Sequence, residues 1–266
     1  MPRIKRSQTE QALADAAGPD FLEALARGLR VVEAFGRDRR WLTLSDVARL
    51  VDLPRASVRR TLYTLVKLGY AEMDDRLFRL TPRVLQLAGA YLASNAISDI
   101  VQPALERLSG EIGEACSAAV LDGTEVVMIA HASPNRMLPV SAQIGFRLPA
   151  LSTSLGRVLL AALPDKEMDA LLARTKIAKL TPETITDRTR LRAAILKARA
   201  DGFSLADQEA EAGFRSISVP LKRRDGQTVA ALNVGVHTER IPLDAMRKVF
   251  LPRLQALADT LGPQLI

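Results

Sequence analysis

Apolar residues in the first third of the chain recur at three- and four-residue intervals, in short runs broken by turn residues. That is the spacing of amphipathic helices. Leu22, Leu25, Leu29, Val32 and Phe35 form one stripe along Phe21 to Phe35, ended by Gly36. The stripe predicts a helix packed across the back of the next two. Leu44, Val47, Ala48 and Val51 form the apolar face of a second helix, with Thr43 as its N-cap and Asp46 three residues on, close to a capping box. Asp52-Leu53 is a short turn, and Pro54 suits the first turn of a third helix, whose buried side is marked by Val58, Leu62, Leu65 and Gly69. Residues 71–80, AEMDDRLFRL, read as two short strands around a polar turn, closed by Thr81-Pro82. Two capped helices joined by a tight turn and followed by a β-ribbon are the parts of a winged helix-turn-helix.

The other side of the third helix carries Arg55, Ala56, Arg59, Arg60, Tyr63 and Lys67, flanked by Ser57 and Thr64. An isolated basic helix face is by default only solvated. Here it follows a capped partner helix and precedes a wing, the geometry that puts a helix in the major groove of double-stranded DNA. Arginine suits a guanine edge or a phosphate, and hydroxyls serve either. Thr43 at the helix entry and Arg76 in the wing turn complete the expected DNA-contacting set. The charge agrees: residues 21–83 hold 13 Lys+Arg against 8 Asp+Glu, whereas residues 84–266 hold 21 against 19. The basic excess is thus concentrated on the DNA-reading segment.

Beyond the wing, Arg83 to Ser94 has Val84, Leu87, Ala88, Tyr91 and Leu92 on one side of a helix, either a dimer contact or an intramolecular packing face. Ile97 to Ile112 is a further amphipathic helix. From Cys116 the period changes to that of strands: CSAAVL and EVVMIAH flank Asp122-Gly123-Thr124, a hairpin signal. Pro139 to Ser141 suggests another strand. Leu155 to Leu163, Asp165 to Ala173 and a helix capped by Asp187 follow. Strands are expected from Phe203 to Asp207, Ser216 to Leu221 and Thr228 to Val236. Leu243 to Leu265 reads as one closing helix, bent at Pro252. The expected fold is α+β, with helices flanking an antiparallel sheet. Its expected parts are a flexible tail over 1–20, in which Arg3, Lys5 and Arg6 offer a basic arm, a DNA-binding domain over 21–82, a linker helix over 83–96 and a second domain over 97–266.

At 266 residues, with 48% hydrophobic and 25% charged content, the chain reads as a soluble globular protein of one large or two medium domains. No apolar run reaches membrane-spanning length and the first residues lack a secretory core, so the expected location is the cytoplasm, with no membrane partner. Cys116, the single cysteine, excludes an internal disulfide and reads as a buried small residue.

Two stretches of the second domain carry candidate chemistry. Arg147 to Arg157, RLPALSTSLGR, brings hydroxyls and free backbone N–H groups to a helix start, which makes either an anion site or a set of N-caps. The other gathers Asp207-Gln208-Glu209, Arg215-Ser216-Ile217-Ser218 and Asn233; alternation puts Asn233, Gly235 and His237 on one strand face. An inward Asn needs partners, from the protein or from a ligand. His131 and His237 are the only histidines. Ser152 or Ser154 with His131 is the one nucleophile–base pair on offer, without an elbow or an orienting acid. With no metal-ligand spacing and no phosphate loop, neither an enzyme nor a cofactor is expected.

LARGLRVVEAF, LTLSDVARLVDLPRASVRRTLYTLVKLGYA, LPALSTSLGRVLLAAL and FSLADQEAEAGFRSISVPLKRRDGQTVAALNVGVHTERI together resemble the IclR family of bacterial transcription regulators over about residues 21–266. PRASVRRTLYTLVKLGY, AYLAS and RLPALSTSLGRVLLAA look most like its subgroup controlling the β-ketoadipate pathway, including the PcaR, PcaU and PobR regulators. The resemblance implies a winged helix-turn-helix dimer, or dimer of dimers, joined by a linker helix to a GAF-like effector domain. It implies a recognition helix from Pro54 to Gly69 and an effector pocket at Met137, Val140, Leu148, Ser154, Leu155, Ala206, Ser216, Asn233 and Gly235. Arg147 and Ser152 are added as carboxylate partners, because the subgroup's ligands are aromatic or keto acids. Asn233, in place of a smaller hydroxyl residue, argues against a pyruvate- or glyoxylate-sized ligand. The implied function is ligand-responsive regulation, more often activation, of aromatic-compound catabolism. The alternatives are another catabolic pathway with a different small acid, an enzyme carrying a DNA-binding module, or a DNA-binding protein with no small ligand.

Overall fold

A computed structural model describes residues 18–36, 38–94, 96–134 and 144–265. The chain forms two compact units, Met1–Ser94 and Asn95–Ile266. The tail over 1–17, with its basic arm, and the strand expected at Pro139 to Ser141 lie outside the described residues.

In the first unit, α1 (Glu23–Glu33) packs on α3 (Arg55–Lys67), and α2 (Leu44–Leu50) completes the helical set. Val31, Val47, Val58 and Leu62 are fully buried at its centre. The capping box is complete: Thr43 Oγ1 accepts from the Asp46 amide at 3.2 Å, and Asp46 Oδ2 accepts from the Thr43 amide at 3.2 Å. Pro54 is the N-cap of α3 rather than a residue of its first turn. The wing has three strands where two are expected. β1 (Leu42–Thr43) and β2 (Ala71–Asp74) flank β3 (Leu77–Leu80), with Leu42 opposite Phe78 and Ala71 opposite Leu80. A two-residue strand is too short to leave a period in the sequence.

The apolar stripe of α1 is only partly buried, with Phe35 packed against the core. Val31 and Ala34 enter the core, while Leu22, Leu25 and Leu29 stand 65%, 59% and 49% exposed. Leu25, Leu29 and Val32 line a groove closed by Ser57, Thr61, Leu65 and Leu68 of the α3 segment and by Leu87. Leu87 belongs to α4 (Leu85–Ser94).

The second unit opens with α5 (Ala96–Ile112) and the hairpin of β4 (Ala115–Asp122) and β5 (Glu125–Ala132). β6 (Arg147–Pro149), α6 (Ser154–Ala161), α7 (Asp165–Arg174) and α8 (Arg188–Asp201) follow. The chain ends with β7 (Ser204–Asp207), β8 (Phe214–Lys222), β9 (Thr228–His237) and α9 (Leu251–Leu261). Six antiparallel strands run in the order β6-β5-β4-β9-β8-β7. The fold is α+β. β6 opens the stretch that the sequence reads only as the approach to a helix start. The closing segment is one continuous helical run, as expected, interrupted by a π-helical turn at Met246–Phe250 just before Pro252, which lacks the N–H a regular helix would use.

Period-two alternation gives the sheet two different faces. Cys116, Ala118, Ile217, Val219, Leu232 and Val234 turn to one core with residues of α5 and α9. Ala119, Met128 and Ala231 turn to another with α6 and α8. The pairing of β4 with β5 shifts between Ala118 and Ala119, so that Ala118 faces Ala130 and Ala119 faces Met128. This bulge sends Ile129 to the first core and Met128 to the second.

Candidate functional site

On α3, Arg55, Ala56, Arg59, Arg60, Tyr63, Thr64 and Lys67 are all exposed. The Lys67 ammonium lies 5.4 Å above the Tyr63 ring, and Arg55 reaches back to the Ser45 hydroxyl of α2 at 2.7 Å. Arg59 and Arg60 form no ion pair among the described residues, which leaves two guanidinium groups available on that face. Arg76 is exposed at the wing tip, beside Asp74 and Asp75. Thr43 is half-buried and holds the capping box. Ser57 departs from its expected role: only 6% exposed, it lines the groove against α1. At about 100° per residue it falls roughly 60° round the helix from Arg60, past the exposed arc.

In the second unit a cavity of about 160 Å³ lies between the sheet and the start of α6. Cross-strand register builds its floor. Ser218 of β8, Asn233 of β9, Ser117 of β4 and His131 of β5 are successive partners in a polar row across four strands, of which the last three line the cavity and Ser218 lies beneath it. The next row is Ala206, Ser216, Gly235 and Ala115. Met128, Phe146, Leu148 and Leu155 supply apolar wall, and Ser152 and Thr153 bring the N-terminus of α6 to the rim. Thr153 caps α6, its Oγ1 accepting from the Gly156 amide at 3.1 Å. A Cβ at Gly156 would stand 2.0 Å from the Ala150 carbonyl oxygen, so only glycine lets α6 close onto the turn that precedes it.

Behind the floor, Ser154 Oγ lies 2.7 Å from Ser216 Oγ and 2.8 Å from Ser218 Oγ. Asn233 Nδ2 reaches Ser154 Oγ at 3.2 Å, the Ile217 carbonyl at 3.2 Å and Ser218 Oγ at 2.9 Å. One turn along α6, the buried Arg157 guanidinium holds the Glu209 carboxylate bidentately at 2.6 and 2.5 Å. Glu209 borders the cavity, and its backbone carbonyl accepts from the Thr184 hydroxyl. His131 Nδ1 lies 3.0 Å from Ser117 Oγ, and burial holds its imidazole below the ordinary histidine value.

Two comparisons settle the family. The model described as "Bacterial transcriptional regulator IclR C-terminal" matches residues 89–262, and the IclR helix-turn-helix domain matches residues 24–75. The chain belongs to the IclR family. It is 42% identical over 265 residues to the Pca regulon regulatory protein of Pseudomonas putida, covering 99% of this chain and 91% of that protein. The p-hydroxybenzoate hydroxylase transcriptional activator of Acinetobacter baylyi is 35% identical over 247 residues, 91% of each. An IclR homolog of Microbacterium hydrocarbonoxydans, solved in complex with 4-hydroxybenzoate, is 28% identical, with a TM-score of 0.76 over 90% of this chain and 97% of that one. The chain is therefore a DNA-binding transcription regulator of the IclR family, with relatives named for the Pca regulon and for p-hydroxybenzoate hydroxylase.

Of the pocket positions carried over from that family, Leu148, Leu155, Ala206, Ser216, Asn233 and Gly235 line the cavity, as does Ser152, added as a carboxylate partner. Met137 and Val140 lie outside the described residues. Ser154 stands behind the wall, fully buried among Ser216, Ser218 and Asn233. Arg147 is a correction: it points away from Leu148 and is held at 2.7 Å by both Asp122 and Glu125, whose bonds raise its pKa. Alternation along β6 explains this, since its neighbour Leu148 faces the cavity. The hydroxyl beside His131 is Ser117, not Ser152 or Ser154. Ser117, Met128 and Phe146 also border the cavity and carry no motif, Ser117 and Met128 being brought there by strand register and the bulge; Phe214, inside the AGFRSIS stretch, joins them. Among the described residues no group of three His, Cys, Asp or Glu side chains is placed to hold a metal, and no helix is long and apolar enough to cross a membrane.

Proposed function

We propose that this chain is a ligand-responsive regulator of aromatic-compound catabolism, in which a small aromatic acid in the second unit shifts operator binding by the first. In this reading residues 21–82 bind DNA, 83–96 link, and 97–266 sense the ligand. Arg55, Ala56, Arg59, Arg60, Tyr63, Thr64 and Lys67 meet the major groove and Arg76 the flanking backbone, with Thr43 setting the entry of α2.

The observation that carries the ligand reading is the cavity itself. Its volume, about 160 Å³, matches the roughly 150 Å³ apolar cavity that holds a single benzene ring. Met128, Phe146, Leu148 and Leu155 suit the ring faces. With Arg147 and Arg157 both engaged by carboxylates, the N-terminus of α6 with Ser152 is the place for the ligand's carboxylate. Relatives named for the Pca regulon and for p-hydroxybenzoate hydroxylase, and a structural neighbour holding 4-hydroxybenzoate, support the same ligand class.

The active form is a homodimer or dimer of dimers in the cytoplasm, without catalytic activity. Exposed Leu22, Leu25, Leu29, Leu85 and Leu87 support a self-association surface on the first unit. A thermal-shift screen of the full chain against aromatic acids and β-ketoadipate tests the reading. An acid at 100 times its Kd adds about 2.7 kcal/mol, a rise of roughly 5–10 °C for a unit of this size. A flat panel with operator binding intact overturns the aromatic-acid assignment and leaves the DNA-binding assignment standing.

A further inference from the structure

The second unit is close to neutral as a whole, yet its charge is unevenly spread. Residues 174–199 hold 8 Lys+Arg against 2 Asp+Glu, which leaves 13 against 17 over the rest of residues 84–266. The basic stretch runs from the end of α7, through the α7–α8 connection, into α8. Hydrogen bonds brace it. The Arg188 guanidinium donates to the Leu172 and Thr175 carbonyls, and Arg192 grips Asp169 at 2.7 and 3.2 Å, so the start of α8 lies against the end of α7. Thr184 Oγ1 accepts from the Thr181 amide at 2.8 Å and donates to the Glu209 carbonyl at 2.7 Å, which ties the connection to the cavity rim. Asp169, Asp201 and Asp165 neutralise Arg192, Lys197 and Arg199. Arg174, Lys176, Lys179 and Arg190 are exposed and form no ion pair among the described residues. An exposed cation is by default only solvated. Four unpaired ones on a braced surface make a positive field that favours an extended anion. Leu180 is the one large apolar side chain exposed in this stretch, so the surface lacks the aromatic anchors of a protein interface. Lys and Arg without such anchors suit the phosphates of a nucleic acid.

We propose that this face of the second unit is a further DNA contact, in which Arg174, Lys176, Lys179 and Arg190 hold phosphates of the duplex flanking the operator. The chain already binds DNA through its first unit. A contact too weak to act alone then works at the high effective concentration that a linked site provides. It reads no base, so it adds affinity and salt dependence without sequence preference. The proposal stands on DNA binding by the first unit and is independent of what fills the cavity.

Fluorescence anisotropy of the full chain on two duplexes tests it: the shortest fragment of its promoter that binds, and the same fragment with about three helical turns of flanking DNA on each side. The unaltered protein is expected to bind the long duplex about tenfold more tightly at low salt, with a salt slope steeper by about 0.9 for each added phosphate contact. In the triple variant Lys176→Gln, Lys179→Gln, Arg190→Gln that gain is expected to shrink to within about twofold, with affinity for the short duplex unchanged. A control variant, Arg107→Gln, Arg247→Gln, Arg253→Gln, removes the same charge from the side of the sheet that carries α5 and α9 and should keep the gain. All six side chains are exposed, so neither variant opens a core. Equal affinity and equal slope on the two duplexes overturn the proposal and turn the basic face towards an acidic protein instead. A gain that survives in the triple variant, or one lost as fully in the control, overturns it as well. Each of these outcomes leaves operator binding by the first unit standing, since that is read on the short duplex.

Discussion

Arg157 and Glu209 put an ion pair in a buried position, at 3% and 8% side-chain exposure. Removing one partner strands the other charge in a low dielectric. Arg157→Ala is therefore expected to cost about 3–5 kcal/mol by chemical denaturation. A loss below about 1 kcal/mol, the scale of a solvated surface pair, would contradict the buried geometry. His131 makes a different demand. Burial lowers its folded pKa, so below the unfolded value near 6.5 the unfolded chain binds the proton more readily. Its contribution to stability is complete above that value and declines as pH falls towards the folded pKa. His131→Gln should flatten that part of the stability–pH curve, and a variant curve parallel to the wild type below about pH 6.5 would show that another group governs it.

At the scale of elements, the capping box at Thr43 holds the entry to the helix-turn-helix, and the same residue pairs with Leu77 in the wing. Thr43→Ala is expected to lower unfolding stability by about 0.5–2 kcal/mol and to loosen the wing along with α2. Amide exchange that quickens in neither element would refute that coupling. Helices were legible because caps, turn residues and period act within a few neighbours: Thr43 with Asp46, and Asp187 as the cap of α8. The depth of the α1 stripe was not. Its leucines line an open groove beside α3 while Val31 and Ala34 fill the core, and no period distinguishes a buried stripe from a half-open one. The cavity was half legible. RLPALSTSLGR and the strand around Asn233 stand out for their hydroxyl and amide groups. Ser117 and His131 enter only through cross-strand register, and Met128 only through a bulge. Arg147 was misassigned because its partners, Asp122 and Glu125, belong to a neighbouring hairpin that local pattern does not connect to it.

At the scale of the molecule, the first unit should deliver its charge to DNA through α3. Arg59→Ala is expected to weaken operator binding by roughly 1–3 kcal/mol and relax one base position if the guanidinium reads a base. If Arg60 meets a phosphate instead, Arg60→Ala should lower affinity for all sequences and reduce the salt slope by about 0.9 for each half-site. Fluorescence anisotropy at several salt concentrations separates the two, and operator binding unchanged in the double variant would remove α3 as the reading helix. The sheet of the second unit adds a matter of timing. β4 lies beside β9, with Ala115 opposite Gly235 and Ser117 opposite Asn233, so the centre of the sheet joins the two ends of that unit. During synthesis β4 must wait for nearly the whole chain, whereas the contacts of the first unit close within residues made early. A ribosome that stops before β9 releases a polypeptide able to complete its helix-turn-helix but lacking the strand that carries Asn233 and Gly235, and so lacking the cavity floor.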